Sequence, residues 1–146
     1  MPWSTINTSE VMNGFTPGEL ATLSGIQGSA DVLTEKLNLA VRAARGSIVA
    51  GGNPLDAAPD TIPDQLRNAV LDVARWKWLI SFPTLKTYQT DARKSAAKDA
   101  EDLLNLIASQ KADRPRVETP DGTSPLTSPS FCTPTRVMSK ENQEGV

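Results

Sequence analysis

The stretch that most constrains the fold runs from Thr61 to Phe82 and reads TIPDQLRNAVLDVARWKWLISF. Thr61 can cap a helix, and Pro63 and Asp64 suit its first turn. Apolar residues then recur on more than one side of the predicted helix, and Pro83 ends it. We therefore predict a central helix that needs protein neighbours on at least two sides.

Amphipathic patterns on either side of this stretch predict its neighbours. Before it, apolar residues recur every three or four positions from Leu33 to Ile48, which predicts a helix beginning at residue 29 or 30. Gly51-Gly52 provides its stop, and a loop follows. After it, a charged amphipathic helix is predicted from residue 83 or 84 to Lys111. No strand pattern stands out, so we predict an all-α fold, a bundle of three long helices.

The two ends of the chain differ from this bundle. Residues 1–16 form a mixed N-terminal segment, and Thr16, Pro17 and Glu19 then predict a short helix that ends near Gly25. The bundle domain is predicted to span residues 17–112. Residues 113–146 are rich in Pro, Ser and Thr, which predicts an extended arm. Removal of the chain from Arg114 onward is expected to leave the bundle folded.

Apolar side chains are scattered through the arm, and a segment that only solvates would not need them. They are candidate anchors on another protein surface, where the arm would become ordered on binding. These residues are Val117, Leu126, Phe131, Val137 and Met138.

The composition argues against a catalytic or metal-binding function for this chain. There is no histidine among the 146 residues, and the single cysteine is Cys132. This removes the commonest general base and a Cys or His metal site. The common nucleotide-binding and hydrolase motifs are also missing, so we predict no enzyme, catalytic residue, metal or cofactor. We expect neither a signal peptide nor a membrane span.

The predicted central helix offers two interpretations of its surface. Arg67, Arg75 and Lys77, interleaved with Trp76 and Trp78, could contact phosphates and stack on bases. Alternatively the tryptophans belong to a core or an interface. They lie about 200° apart on a helix, so one of them can point outward unless the short N-terminal helix or Trp3 covers it. We take Trp76, Trp78, Arg67 and Arg75 as the candidate subunit interface.

The order of these parts resembles the head–tail adaptor (connector) proteins of tailed bacteriophages. The resemblance spans roughly Phe15 to Pro115 and lies in four segments: FTPGELATL, LTEKLNLAVRAARGSIVAGG, TIPDQLRNAVLDVARWKWL and DARKSAAKDAEDLLNLIA. The ending PTRVMSKENQEGV is similar to the C-terminal arms of some members. GGNPLD stands where some members carry a tyrosine- and arginine-rich segment.

The resemblance implies a structural role in the virion neck, after assembly in the host cytoplasm. Copies would form a ring, usually twelvefold in this family, between the portal protein and the tail or tail-completion protein. DNA would pass through the lumen without sequence-specific binding, and the arm would anchor on the portal or a neighbouring subunit. The alternative from a different class is a small helical DNA-packaging protein similar to a terminase small subunit. A third possibility is a helical scaffold protein unrelated to phage.

Overall fold

The computed structural model describes residues 3–111 and 113–120, and this part of the protein is mostly helical with one small sheet. Its α-helices, in chain order, are α1 (Thr8–Met12), α2 (Pro17–Ser24), α3 (Ser29–Ala50), α4 (Arg67–Ile80) and α5 (Asp91–Ala108). Two 3₁₀ segments cover Asp64–Leu66 and Pro83–Tyr88, and the strands are β1 (Trp3–Thr5) and β2 (Thr61–Pro63).

The limits of α2 and α3 confirm the predictions from helix-end residues. The Thr16 hydroxyl accepts a hydrogen bond from the Glu19 amide at 3.4 Å, and the Glu19 carboxylate accepts one from the Thr16 amide at 2.9 Å. This reciprocal pair satisfies two backbone donors that the first turn of α2 leaves free. At the end of α3, Gly52 takes the left-handed conformation, with φ of 76°.

The start of the central helix differs from the prediction. Thr61–Pro63 forms β2, which pairs antiparallel with Trp3–Thr5, and α4 begins only at Arg67. The Thr61 hydroxyl does not cap α4: it lies 2.8 Å from a carboxylate oxygen of Asp56 and 2.9 Å from the carbonyl oxygen of Ala58. Strands of three residues are too short to show alternation in the sequence, so this pairing could not be predicted.

The last long helix also begins later than predicted. Pro83–Tyr88 is a separate 3₁₀ segment, and α5 starts at Asp91 after Thr90, whose hydroxyl accepts from the Arg93 amide at 3.4 Å. Because Thr90 has an extended backbone, with φ of −75° and ψ of 152°, the two helices cannot be continuous. The helix ends at Ala108 rather than at Lys111.

The core lies where α3, α4 and α5 pack against one another in pairs. Both flanking segments contribute to it. β1 and α1 pack onto the helical body, and Trp3 is buried. The Trp3 indole N–H donates to the carbonyl oxygen of Glu118 at 3.0 Å, and the neighbouring Val117 belongs to the same core cluster. The largest fully buried side chains of α3, α4 and α5 are Leu33, Ile48, Leu79, Val70 and Ile107.

Gly51 was predicted only as a helix stop, but it also allows α3 to pack closely against α5. A Cβ at this position would lie 2.4 Å from the carbonyl oxygen of Ile107 in α5, a backbone atom that cannot swing aside. We expect Gly51→Ala to lower the free energy of unfolding by about 1–3 kcal/mol, as overpacking does. Gly46→Ala is the matched control, since a Cβ there meets open space and should stabilise α3 by about 0.5–1 kcal/mol. Equal unfolding midpoints for the two variants in urea would contradict this role.

Candidate subunit interface

The two tryptophans of α4 have different environments. Trp78 is only 2% exposed, its indole N–H donates to the carbonyl oxygen of Ser29 at 3.0 Å, and its ring meets Phe15 edge to face at 5.5 Å. The prediction that Trp78 could contact another subunit is therefore wrong for the folded chain, because the side chain is buried within the chain's own core.

Trp76 is half-buried and lies on a different side of α4. One turn further, Ile80 is 48% exposed and shares the same face at i,i+4 spacing. We call Trp76 and Ile80 the α4 patch. Both side chains sit on a helix that is buried on most of its sides, and Ala69 and Val73, earlier on the same face, belong to the core, so the backbone positions of Trp76 and Ile80 are fixed by that packing.

A second group of exposed uncharged residues lies on α3. Leu39 is 44% exposed and Val49 is 54% exposed, and the exposed Ala43 and Gly46 lie between them. We call these four residues the outer face of α3. At 100° per residue, Leu39 points about 200° away from the buried Leu37. The exposed Arg42 shares this side of α3. The protein therefore presents two different surfaces with exposed apolar side chains on two adjacent helices, and the one on α3 also carries a positive charge.

Arg67, another of the interface candidates, has partners inside the chain. Its Nε and Nη2 donate to one carboxylate oxygen of Glu10 at 2.8 and 2.5 Å, and its Nη1 contacts the Ser4 hydroxyl. Burial raises the pKa of Glu10, but the hydrogen bonds from Arg67 and the Asn7 amide, with the Arg67 charge, outweigh it and hold that pKa below its usual value. Arg67 therefore fastens the N-terminal segment to α4.

Arg75 also binds the N-terminal segment, from a different side of α4. Its guanidinium donates to the carbonyl oxygens of Val11 at 3.0 Å and Glu10 at 2.9 Å, and to the Asp72 carboxylate at 3.3 Å. These contacts satisfy carbonyl groups near the end of α1. The partners of Arg67 and Arg75 on the N-terminal segment are 57 to 65 residues distant in the sequence, so no local pattern could reveal them.

Arg93 forms a further link that the sequence analysis missed. Its two terminal nitrogens donate to the two carboxylate oxygens of Glu19, each at 2.9 Å, and one also donates to the Tyr88 carbonyl at 2.8 Å. The guanidinium lies over the Phe15 ring at 4.9 Å from its centroid. A planar two-point pair of this kind fixes α2 and α5 at a defined separation.

The Arg93–Glu19 pair makes stability depend on pH. The hydrogen bonds from Arg93 are the largest cause that holds the pKa of Glu19 below its usual value, against the opposing effect of burial. Because the folded pKa is lowered, this stabilisation is complete above the unfolded pKa of about 4.3 and is lost as pH falls through the folded pKa. We expect Glu19→Gln to be less stable at neutral pH and to show a shallower loss of unfolding free energy in acid.

Urea unfolding between neutral pH and acid measures this effect. Glu35→Gln is the matched control, because Glu35 is an exposed glutamate beside Lys36. A Glu19→Gln curve parallel to that of the unmodified protein throughout the acid range would contradict the assignment.

The first residues of the predicted arm pack on the chain's own body. Val117 is 5% exposed, and Arg114 donates to the carbonyl oxygen of Gly51. Val117 is therefore not free to anchor on the portal or a neighbour, and a deletion meant to spare the core should begin after Pro120 rather than at Arg114. The other anchor candidates lie outside the described residues; they are Leu126, Phe131, Val137 and Met138.

Two general properties complete the description of this surface. Within residues 3–111 and 113–120, no group of three or more His, Cys, Asp or Glu side chains is placed to hold a metal ion. No helix in the same part of the chain is long and apolar enough to cross a membrane.

No family model, curated protein or solved structure matches this chain.

Proposed function

We propose that the protein is a structural head–tail adaptor of a tailed-bacteriophage virion. Its copies form a ring, twelvefold as in the family it resembles, between the portal protein and the tail or tail-completion protein. In this proposal α3, α4 and α5 act as a three-helix bundle that builds the ring, and the segment after Pro120 is the extended arm. The ring lies in the virion neck, forms in the host cytoplasm, and lets DNA pass without sequence-specific binding.

The α4 patch carries this proposal. Trp76 leaves part of an aromatic ring exposed and Ile80 leaves an aliphatic side chain exposed, both on the central helix of the core. Aromatic side chains at fixed positions are typical anchors of protein interfaces. A ring built from one kind of subunit needs two different complementary surfaces, and the outer face of α3 supplies a second one. The pair of surfaces supports head-to-tail packing of copies.

The internal partners of the basic residues favour the adaptor over the DNA-packaging alternative. The DNA-binding interpretation needs Arg67, Arg75 and Lys77 to contact phosphates. Arg67 and Arg75 are bound to the N-terminal segment, and Lys77 lies 3.9 Å from a carboxylate oxygen of Glu101. Phosphate binding would have to replace these contacts, and the net charge of −2 provides no general attraction.

Immunogold electron microscopy of purified virions tests the proposal directly. An antibody to this chain should label the neck between capsid and tail, and an antibody to the major capsid protein provides the matched control on the same particles. Virions that lack the chain would contradict the adaptor function.

A separate measurement addresses DNA binding. Fluorescence anisotropy with duplex DNA is expected to show no salt-dependent binding by the purified protein. Lys77→Gln tests the basic face without removing an arginine that holds the N-terminal segment, and Lys86→Gln serves as the control because Lys86 is exposed on the Pro83–Tyr88 segment. Salt-dependent binding that Lys77→Gln abolishes and Lys86→Gln retains would support the packaging alternative instead.

A further inference from the structure

An apolar groove of about 500 Å³ opens between α1, α2 and the start of α3. Its floor includes Trp78, whose indole N–H is already satisfied by the Ser29 carbonyl. The other side chains of the groove are small or apolar, and the lining residues are Met12, Pro17, Leu20, Ala21, Ser24, Ser29, Ala30 and Trp78.

The groove suits uncharged, apolar side chains. Among the described residues its lining contains no charged side chain. Its volume is within the roughly 300–1,000 Å³ range of sites that enclose a small ligand, so it has room for one or two large side chains. An aromatic ring entering the groove would find one aromatic side chain, Trp78, in the lining, and aromatic pairs are favourable.

The chain carries a segment with matching chemistry. Residues 122–135, GTSPLTSPSFCTPT, contain no charged residue, whereas Arg136, Lys140, Glu141 and Glu144 follow. Phe131 is the only aromatic residue after Pro120. An extended segment of this composition can bring an apolar side chain to a groove without burying a charge.

The length of the chain lets this segment reach the groove of the same molecule. Glu118 is held at Trp3, and Arg45 lies over the Trp3 ring at 5.8 Å. From Arg45 back to Ala30, α3 covers about 22 Å at 1.5 Å per residue. Phe131 lies 11 residues beyond Pro120, and those residues can span about 36–40 Å when extended.

We propose that this groove binds the Phe131 side chain of the protein's own C-terminal segment. The tether makes docking intramolecular, at an effective concentration on the order of millimolar, which exceeds that of a second copy in dilute solution. The groove and the α4 patch are different surfaces, so this inference does not depend on the ring contact. It gives Phe131 a site on its own molecule in place of the anchor on the portal or a neighbour that the resemblance implies.

Paramagnetic relaxation enhancement on the full-length chain tests the docking. Cys132 is the single cysteine and adjoins Phe131, so a nitroxide label there reports on this segment without any engineered cysteine. Amide signals of Leu20, Ser24 and Ala30 should lose most of their intensity. Amides at the end of α5 distant from Arg93, such as that of the exposed Asn105, should keep theirs.

Two variants separate docking from chance proximity. Phe131→Ser removes the proposed anchor, and Ala21→Glu places a charge at the groove. Each should lower the docking equilibrium constant about tenfold or more, which corresponds to about 1.4 kcal/mol. Ala92→Glu is the control because Ala92 is also an exposed helical alanine, and it should leave the intensity losses unchanged.

Several outcomes would overturn the proposal. These are undiminished groove signals in the labelled protein, equal signal loss in Phe131→Ser, and signal loss only when the nitroxide and the isotope are on different molecules. The last result would place the segment of a second copy in the groove. Amide chemical shifts of each variant confirm that α2 and α3 remain folded, so a loss of docking cannot be mistaken for unfolding.

Discussion

Replacing Trp78 with alanine is expected to lower the free energy of unfolding by about 3–5 kcal/mol, the usual cost of removing a buried aromatic side chain. The side chain is 2% exposed, packs on Phe15, and satisfies the Ser29 carbonyl. Since small domains have only about 5–15 kcal/mol of stability, this single change should bring the protein close to unfolding. Urea unfolding followed by circular dichroism measures the effect.

Trp76→Ala is the matched control, because it removes the same side chain from the same helix. Trp76 is half-buried, so its loss should cost clearly less than the loss of Trp78. Trp78→Phe should fall between the two, since it retains an aromatic ring but leaves the Ser29 carbonyl without its indole donor. Equal losses for Trp76→Ala and Trp78→Ala would show that the division between a core tryptophan and a surface tryptophan is incorrect.

The double variant Trp76→Glu with Ile80→Glu is expected to abolish ring formation while the subunit stays folded. Truncating a central interface anchor commonly costs 2 kcal/mol or more, which is about 30-fold in affinity. In a ring, every interface between neighbouring copies would be weakened by this amount. Complementation of a phage that lacks the gene, followed by electron microscopy of the particles, measures whether a neck assembles.

The exposed α5 position Ser95 supplies the control, since Ser95→Glu adds charge to a helical surface outside both apolar surfaces. Leu39→Glu tests the opposing surface and should impair assembly as the α4 variant does. Normal necks with the α4 double variant would exclude the α4 patch from the subunit contact. Normal necks with Leu39→Glu alone would exclude the outer face of α3.

Helix ends marked by local residues could be predicted from the sequence. Thr16 with Glu19 marks the start of α2, and Gly51-Gly52 marks the end of α3, because caps and left-handed turns depend on residues a few positions apart. The start of α4 could not be predicted, because Thr61 lies in a strand and pairs with Thr5, 56 residues earlier in the chain. At α5, Thr84 and Thr90 are both plausible caps, and only the 3₁₀ packing of Pro83–Tyr88 selects Thr90.

The environments of the candidate interface residues were even harder to predict from local sequence than the helix ends. The helical period established that Trp76 and Trp78 point in different directions, yet which one is buried depends on Phe15 and the start of α3. Arg67 and Arg75 have the composition of a binding surface, but the N-terminal segment supplies their partners. Nonlocal contacts of this kind leave no periodic signature in one sequence.

The hydrogen bond from Trp3 to Glu118 also has a consequence for the order of folding during synthesis. It joins residues 115 apart, so the first strand leaves the ribosome long before its last partner has been made. Contacts of such long range carry the loop-closure entropy of a long segment, and a high share of them is typical of slower folding. A nascent chain that stops before Val117 would lack this acceptor and one buried core side chain. The native body therefore becomes complete only when nearly the whole described chain has been translated.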